Sequence, residues 1–367
     1  MRILHIDTGS VMRGGQELLM MSARGLRATG HVQAIACPPG SPLAAMATAE
    51  GFSVLPIERP YFKAARPIRR FLRAQPHDLV SSHDARAQTV AYLATLGLPI
   101  VRVANRLVVF EPRNRLVHRL KYKYTCDMVV ALSQAVKDTL VRSGIPAEHV
   151  EVITGGIDFP EQLAGPGARE RMRANWGLSP EHFVIGHVAA FTEEKGQLDA
   201  LDALIALLPE HPNIRLLLVG DGPLREDPKT QERVRASGGA AQLPGYLKPT
   251  AEFYAGLDLS LVNSTAEALG LSALYAMAHE VPVIATNVGG LPEVVGDAGW
   301  LVPPSDPRAL AKTIEKAIEC CASGAMRERG KRAREHARRF SSEVTARRTE
   351  TVYDELIRAR KLPGSQA

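Results

Sequence analysis

The chain has 367 residues, 45% of them apolar, with 30 glycines and 25 prolines. That is enough chain for two ordinary domains, and nothing in the composition marks a disordered, collagen-like or disulfide-stapled protein. The formal net charge of +6 is lopsided: residues 1–160 hold 20 Lys and Arg against 12 Asp and Glu, so the basic surface belongs to the first half.

The N-terminus leads straight into an alternating run, Arg2 to Thr8, with no charged segment, apolar core and cleavage site ahead of it. No uninterrupted apolar stretch approaches the roughly 20 residues that a bilayer span needs. A cytoplasmic, non-spanning protein is expected. Cys37, Cys126, Cys320 and Cys321 show neither a Cys-x-x-Cys spacing nor a disulfide framework, and no His-Glu-x-x-His occurs, so no protein-built metal site is expected.

Residues 1 to 158 alternate strand and helix. Strands are expected near Ile3–Asp7, Val32–Cys37, Ser53–Ile57, Asp78–Ser82, Ile100–Ala104, Met128–Leu132 and Val150–Ile153, with helices including Gln16–Ala28, Ala85–Leu96 and Gln134–Ser143 between them. This predicts a doubly wound parallel sheet. Gly14 and Gly15 fall in the first strand-to-helix loop, DTGSVMRGGQ, which has neither the Gly-Lys-Ser/Thr of a P-loop nor a GxGxxG fingerprint. His83 and Asp84 close the fourth strand, in SSHDAR. The pair suggests base chemistry, yet no Ser or Cys nucleophile accompanies it, and Asp84 is equally suited to capping the next helix. Asn105 and Arg106 end the following strand. Two basic segments, Lys63–Arg73 and Arg113–Tyr124, intersperse apolar residues; the second puts Arg115, Arg119 and Lys123 on one helical face and Leu116, Leu120 and Tyr124 on another. They fit helices packed on the sheet or a peripheral docking surface for an anionic membrane.

The Pro/Gly-rich segment FPEQLAGPGA, Phe159–Ala168, marks a boundary between a first domain, 1–158, and a second, 169–345, with 346–367 as a final helix. A second alternation starts at Phe183–Ala190. Lys195 follows in FTEEKGQ, at a helix start where the dipole disfavours a cation unless an anion is also bound there. Next come the strand Ile214–Val219, the turn GDGP containing Gly222, and a short strand near Gln242–Leu243 that leads to Tyr246, a residue able to stack on a base.

The most informative stretch is Asp258–Val295. It reads as a strand, a turn carrying Glu267, a helix opened by Gly270 and Leu271, a strand from Pro282, and the Gly289-Gly290 turn. Both turns lie at one edge of a parallel sheet, where helix N-termini and close backbone approach suit an anion. Glu267 would repel a lone phosphate, so a hydroxyl-rich group attached to the phosphate is the more natural partner. A nucleotide sugar combines both. Tyr275 borders the apolar stripe Leu271, Leu274 and Ala278, where a core role and a ribose contact are both open.

Glu267, Gly270, Leu271, Ala276, Met277, Ala278, Pro282, Val283, Gly289, Gly290, Pro292 and Glu293 together resemble the donor site of family-4 retaining glycosyltransferases of the GT-B fold. The resemblance covers nearly the whole chain and is sharpest from Lys195 to Glu293. It implies an α/β architecture of two Rossmann-like domains facing across a cleft, with the last helix packed back on the first domain. It further implies a donor that is a UDP-sugar or, second, a GDP-sugar, and a lipid-linked glycan or lipopolysaccharide-type acceptor at the inner face of the cytoplasmic membrane. Lys195 would bind the diphosphate and Glu267 the sugar. Gly14, Gly15, Arg106, Gly222, Tyr246, Gly270, Leu271, Tyr275, Gly289 and Gly290 would complete the donor site, and His83 and Asp84 would face the acceptor. No metal or separate cofactor is implied. Three positions depart from the family pattern: Tyr275 replaces a ribose-binding Glu, Ala190 replaces an Arg, and Asn105-Arg106 replaces a sugar-contacting His. A nucleotide-sugar-binding homologue without transferase activity, or a GT-B epimerase or phosphorylase, is therefore kept as an alternative.

The basic run Arg327–Arg339 has interleaved glutamates and no aromatic platform, which reads as a solvated helix face; no nucleic-acid partner is expected.

Overall fold

The computed structural model of the protein describes residues 1–109 and 114–361. Residues 110–113 and the side chain of Arg115, at the start of the second basic segment, lie outside the described residues. The chain divides into two α/β units: residues 1–158 joined by the segment from Phe340 onward, and residues 159–339.

The first unit is built on a seven-stranded parallel sheet of β1 (Arg2–Ile6), β2 (Val32–Cys37), β3 (Ser53–Pro56), β4 (Leu79–Ser82), β5 (Val101–Arg106), β6 (Met128–Ala131) and β7 (Val150–Val152). Their spatial order is β3-β2-β1-β4-β5-β6-β7. Both faces are covered by helices, so the strands read as apolar runs. Period-two alternation then assigns the faces. Leu4, Ile6, Ala34, Ala36 and Val80 pack under the helices Ala65–Ala74 and Ala85–Thr95. Ile3, Leu79, Val101 and Val103 pack with Leu26 and with Val352, Tyr353 and Ile357 of the last helix, Ser342–Lys361. That helix begins four residues before the expected 346, and residues 340–345 join the first unit. Ile157 ties it down at its start, donating its N–H to the Phe340 carbonyl at 2.9 Å.

The second unit holds a six-stranded parallel sheet of β8 (Phe183–Val188), β9 (Ile214–Val219), β10 (Ala241–Gly245), β11 (Leu259–Val262), β12 (Val283–Thr286) and β13 (Trp300–Val302), in the order β10-β9-β8-β11-β12-β13. β13 was not foreseen. It is three residues long, too short to show a period. The core joins Ile185, Leu216, Leu218, Leu259 and Leu261 to the helices Gln197–Leu207 and Pro307–Ala322. The basic run lies in the helix Ala325–Ala337, which buries Met326, Ala333 and Ala337 and turns Arg334 inward onto the Pro160 carbonyl at 2.6 Å. No helix among the described residues is long and apolar enough to cross a membrane.

Candidate functional site

In the second sheet the crossovers run in opposite directions from β8 and β11, which lie side by side. The chain leaving β8 and the chain leaving β11 therefore diverge, opening a crevice at their carboxyl ends. Lys195 follows β8 and Glu267 follows β11. Their side chains meet there, Nζ to Oε2 at 2.6 Å, both half-buried. The two loops are also stitched together by the Thr265 N–H, which donates to the Glu194 carbonyl at 2.8 Å.

Two buried side chains that sequence reasoning missed hold the lysine loop in place. His187 of β8 donates from Nε2 to the Lys195 carbonyl at 3.0 Å, and Asn263 donates from Nδ2 to the Gly196 carbonyl at 2.6 Å. Burial lowers the His187 pKa to about 4, so the ring is neutral. Gly196 adopts φ +70°, and a Cβ there would stand 2.3 Å from the Asn263 carbonyl oxygen. Their only trace in the sequence is a polar residue within or just after an apolar strand, FVIGHV and LSLVN.

The glycines near Glu267 prove to serve the chain's own packing. A Cβ on Gly289 would lie 1.7 Å from the Glu267 carbonyl oxygen, and one on Gly290 would lie 2.4 Å from that of Ala268. The Gly290 N–H donates to the Glu267 carbonyl at 3.0 Å, so this turn sets the height of the acid. Gly222, at φ +150°, seats the turn after β9 against the Phe191 carbonyl, 2.6 Å from where its Cβ would be. The backbones these glycines admit are those of neighbouring loops.

Gly196, Gly270 and Gly290 each precede a helix, and none of these three helix starts has a side-chain cap. Elsewhere Ser41, Asp84, Asn114, Ser133, Asp227, Thr250 and Asp306 supply such caps, while Gly167 and Gly324 open two further helices bare. Uncapped amide donors and positive dipole ends therefore gather around one ammonium and one carboxylate, an arrangement able to receive an anion bearing hydroxyl groups. Leu271 is the first residue of the helix Leu271–Ala278, and Tyr275, half-buried, lies one turn on along the same face. Tyr246 follows edge strand β10 and is 76% exposed.

The candidates of the first unit gather at the carboxyl edge of its own sheet. There the switch lies between β1 and β4. Asp84 is a cap: it accepts from the N–H groups of Arg86 and Ala87, and also from the Thr8 N–H at 2.6 Å and the Thr8 hydroxyl at 2.9 Å. His83 meets His5 of β1, Nε2 to Nδ1 at 3.1 Å. Gly14 and Gly15 are the first residues of the helix Gly14–Ala28 rather than members of the loop before it. Gln16 explains the early start: its Oε1 accepts from the Arg13 N–H at 3.1 Å while its Nε2 holds the buried carboxylate of Asp7 at 3.0 Å. Arg106 ends β5 beside the helix Arg115–Thr125 and bonds Tyr122; together with burial, Arg106 and Lys121 lower the His118 pKa to about 4. Among the described residues, one group gathers potential metal-ligand atoms, Glu210, His211 and Glu315, beside the amino end of β9 and so at the opposite edge of the second sheet from Lys195.

Comparison with known proteins yields two family matches. Residues 12–160 match "Glycosyltransferase Family 4" and residues 182–320 match "Glycosyl transferases group 1". The chain is 31% identical to the D-inositol 3-phosphate glycosyltransferase of Segniliparus rotundus over 294 residues, covering 74% of this chain and 64% of that protein. It is 30% identical to the enzyme of the same name from Rhodococcus opacus, covering 76% and 68%. The N-acetyl-alpha-D-glucosaminyl L-malate synthase of Bacillus anthracis is 30% identical over 63% of this chain and 60% of that protein. In structure the chain is similar to Anabaena HepE in complex with UDP and glucose, with a TM-score of 0.83, 23% identity and coverage of 96% and 99%. It is also similar to WaaG, a glycosyltransferase involved in lipopolysaccharide biosynthesis, with a TM-score of 0.71, 18% identity and coverage of 97% and 99%.

Proposed function

The chain belongs to the family-4 glycosyltransferases of the GT-B fold, and from that premise we propose that it moves a sugar from a nucleoside diphosphate to an acceptor hydroxyl, with retention at the anomeric carbon. The donor is a UDP-sugar in the first instance and a GDP-sugar in the second. The observation that carries this reading is the Lys195–Glu267 pair among three uncapped helix starts. An arriving diphosphate competes for the ammonium, and the amides at Gln197 and Leu271 share the anion's charge. Glu267, released from Lys195, accepts hydrogen bonds from the sugar hydroxyls.

The chemistry then follows from charge. The bond between the anomeric carbon and the phosphate oxygen breaks as negative charge grows on the diphosphate, which Lys195 and the amides stabilise without a divalent ion. The acceptor oxygen bonds the same carbon from the same face, and its proton passes to the departing phosphate oxygen. One carboxylate at the site does not provide the pair that double displacement uses.

The acceptor we propose is a small hydroxy compound carrying an anionic group. The basic first half supports this, as do relatives named for inositol 3-phosphate and for malate. A lipid-linked glycan acceptor at an anionic membrane is the second reading, favoured by Leu116, Val117, Leu120 and Tyr124, all exposed beside Arg119 and Lys123 on one helix. Sedimentation with vesicles decides between them: binding that rises with anionic lipid content supports the second.

Thermal-shift titration with UDP-, GDP- and ADP-sugars tests the donor assignment, because a ligand of the folded state raises stability by mass action. A UDP-sugar is expected to raise Tm in the wild type and not in Lys195→Ala, which should also lose about 10²- to 10³-fold in transfer rate. Equal indifference of both proteins to all three donors would sink the reading.

A further inference from the structure

The first unit contains a buried chain of polar side chains that neither capping nor packing requires. Gln33 of β2, His5 of β1 and His83 after β4 occupy the same face of the sheet by strand alternation, among aliphatic neighbours. Gln33 is 8% exposed and His5 is 1% exposed, and among the described residues no carboxylate bonds the ring of His5 or His83.

The direction of every hydrogen bond in this chain can be worked out. Gln33 Nε2 donates to the Ala23 carbonyl at 2.7 Å, which fixes the amide and leaves Oε1 pointing at His5. Oε1 can only accept, so His5 Nε2, 2.9 Å away, carries a proton. A second proton on so deeply buried a ring would be an unpaired charge in an apolar setting, so His5 Nδ1 is a bare lone pair. His83 Nε2 lies 3.1 Å from that lone pair and must supply the proton between them, the Ser81 hydroxyl being a more distant neighbour of the same nitrogen at 3.5 Å. His83, whose pKa is lowered well below the ordinary value by loss of solvent and by the neighbouring His5, is neutral too and is left with a bare Nδ1. That atom has no partner among the described residues, nor is it one of the side-chain atoms sealed from solvent without a partner. His83 lines a crevice at the carboxyl edge of the sheet with Asn105, Leu18, Leu107 and Leu132. Asn105 is itself oriented, donating to the Ser81 hydroxyl at 2.8 Å and to the Ser82 carbonyl at 3.0 Å.

We propose that Gln33 and His5 are positioning residues that select one tautomer of His83, so that its Nδ1 lone pair accepts a hydrogen bond from a hydroxyl of a small hydroxy-anion acceptor. The hydrogen bond orients the acceptor oxygen before attack, and as that oxygen bonds the anomeric carbon its proton turns from Nδ1 to the departing phosphate oxygen. This deepens the transferase reading and rests on it for the identity of the hydroxyl. The tautomer itself is independent of that reading.

The test is 15N NMR of histidine-labelled protein, with His83 assigned by His83→Asn. A pyrrole-type Nε2 and a pyridine-type Nδ1 are expected at His83; the opposite tautomer overturns the proposal. In Gln33→Glu the carboxylate draws a second proton onto His5, whose Nδ1–H then donates to His83 Nε2, and the His83 proton should move to Nδ1. His5→Phe, which keeps bulk at the site, should leave His83 a mixture of tautomers. If the His83 signals stay as in the wild type in both variants, the positioning role fails. Inositol 3-phosphate and L-malate, added separately with UDP, serve as hydroxyl probes. One of them should shift the Nδ1 resonance, and silence with both overturns the hydroxyl assignment. Where transfer is measurable, both variants should raise the acceptor KM at least about 10-fold and leave the donor KM unchanged. Loss of the UDP-sugar thermal shift in the wild type would instead count against the transferase reading alone.

Discussion

Gly289 has no room for a methyl group, because its φ of +54° and the Glu267 carbonyl together exclude one. Gly289→Ala should cost about 1–3 kcal/mol through strain and overpacking, and should swing Glu267 off Lys195. A melting temperature unchanged from wild type would count against the tight seating of this turn. The buried histidines act through protons. His5 and His187 have pKa values lowered by burial from 6.5 to about 4, so the unfolded chain binds protons at a pH where the folded one does not. Stability should be flat above pH 6.5 and should fall as pH drops from 6.5 toward 4, by about 3 kcal/mol for each ring. Urea denaturation across that range would show the slope, and His187→Gln should remove one ring's share of it, about 3 kcal/mol. A wild-type curve without a slope would mean that these rings are not held neutral.

Asp84 was a candidate for acid-base work and also for a cap, and its four hydrogen bonds give it the work of a joint between two loops. Asp84→Ala should lose about 2 kcal/mol or more, since it frees two helix amides and unpins Thr8, whereas Asp84→Asn keeps an acceptor for the cap and should lose less. Chemical denaturation of the two variants side by side checks the order; equal losses would assign the stability to charge instead of to the cap. Among the described helices seven carry side-chain caps and five open on a bare glycine, and three of those five, at Gly196, Gly270 and Gly290, belong to the loops around Lys195 and Glu267. The same period-two alternation that makes β1, β2 and β4 pack on two faces brings His5, Gln33 and Ser81 to one side.

The first unit is discontinuous in sequence, closed by a segment more than 180 residues downstream of its first part. Val352, Tyr353 and Ile357 sit in its core against Ile3, Leu26 and Leu79, and the Tyr353 hydroxyl reaches Ser81 at 3.1 Å. Burying three such side chains contributes roughly 5–9 kcal/mol, comparable to the whole stability of an ordinary domain. Ending the chain after Arg339 should therefore leave the first unit open to protease while residues 159–339, continuous in sequence, stay protected. Survival of the first unit in limited proteolysis would show that the last helix is dispensable.

Local physics carries much of this molecule, and the sequence displays it. Apolar runs of four to six residues between helical periods announce a doubly wound parallel sheet twice over. The linker at Phe159 and the separate motifs that carry Lys195, Glu267, Gly270 and Gly289 are equally open to reading. What remained hidden depends on which strands lie side by side. The order β8-β11 makes partners of residues 72 positions apart, Lys195 and Glu267, and the order β2-β1-β4 lines up Gln33, His5 and His83. A hydrogen bond is fixed by distances of a few tenths of an ångström and by the direction of a lone pair, and no residue's chemical type carries either; only the packed sheet supplies them.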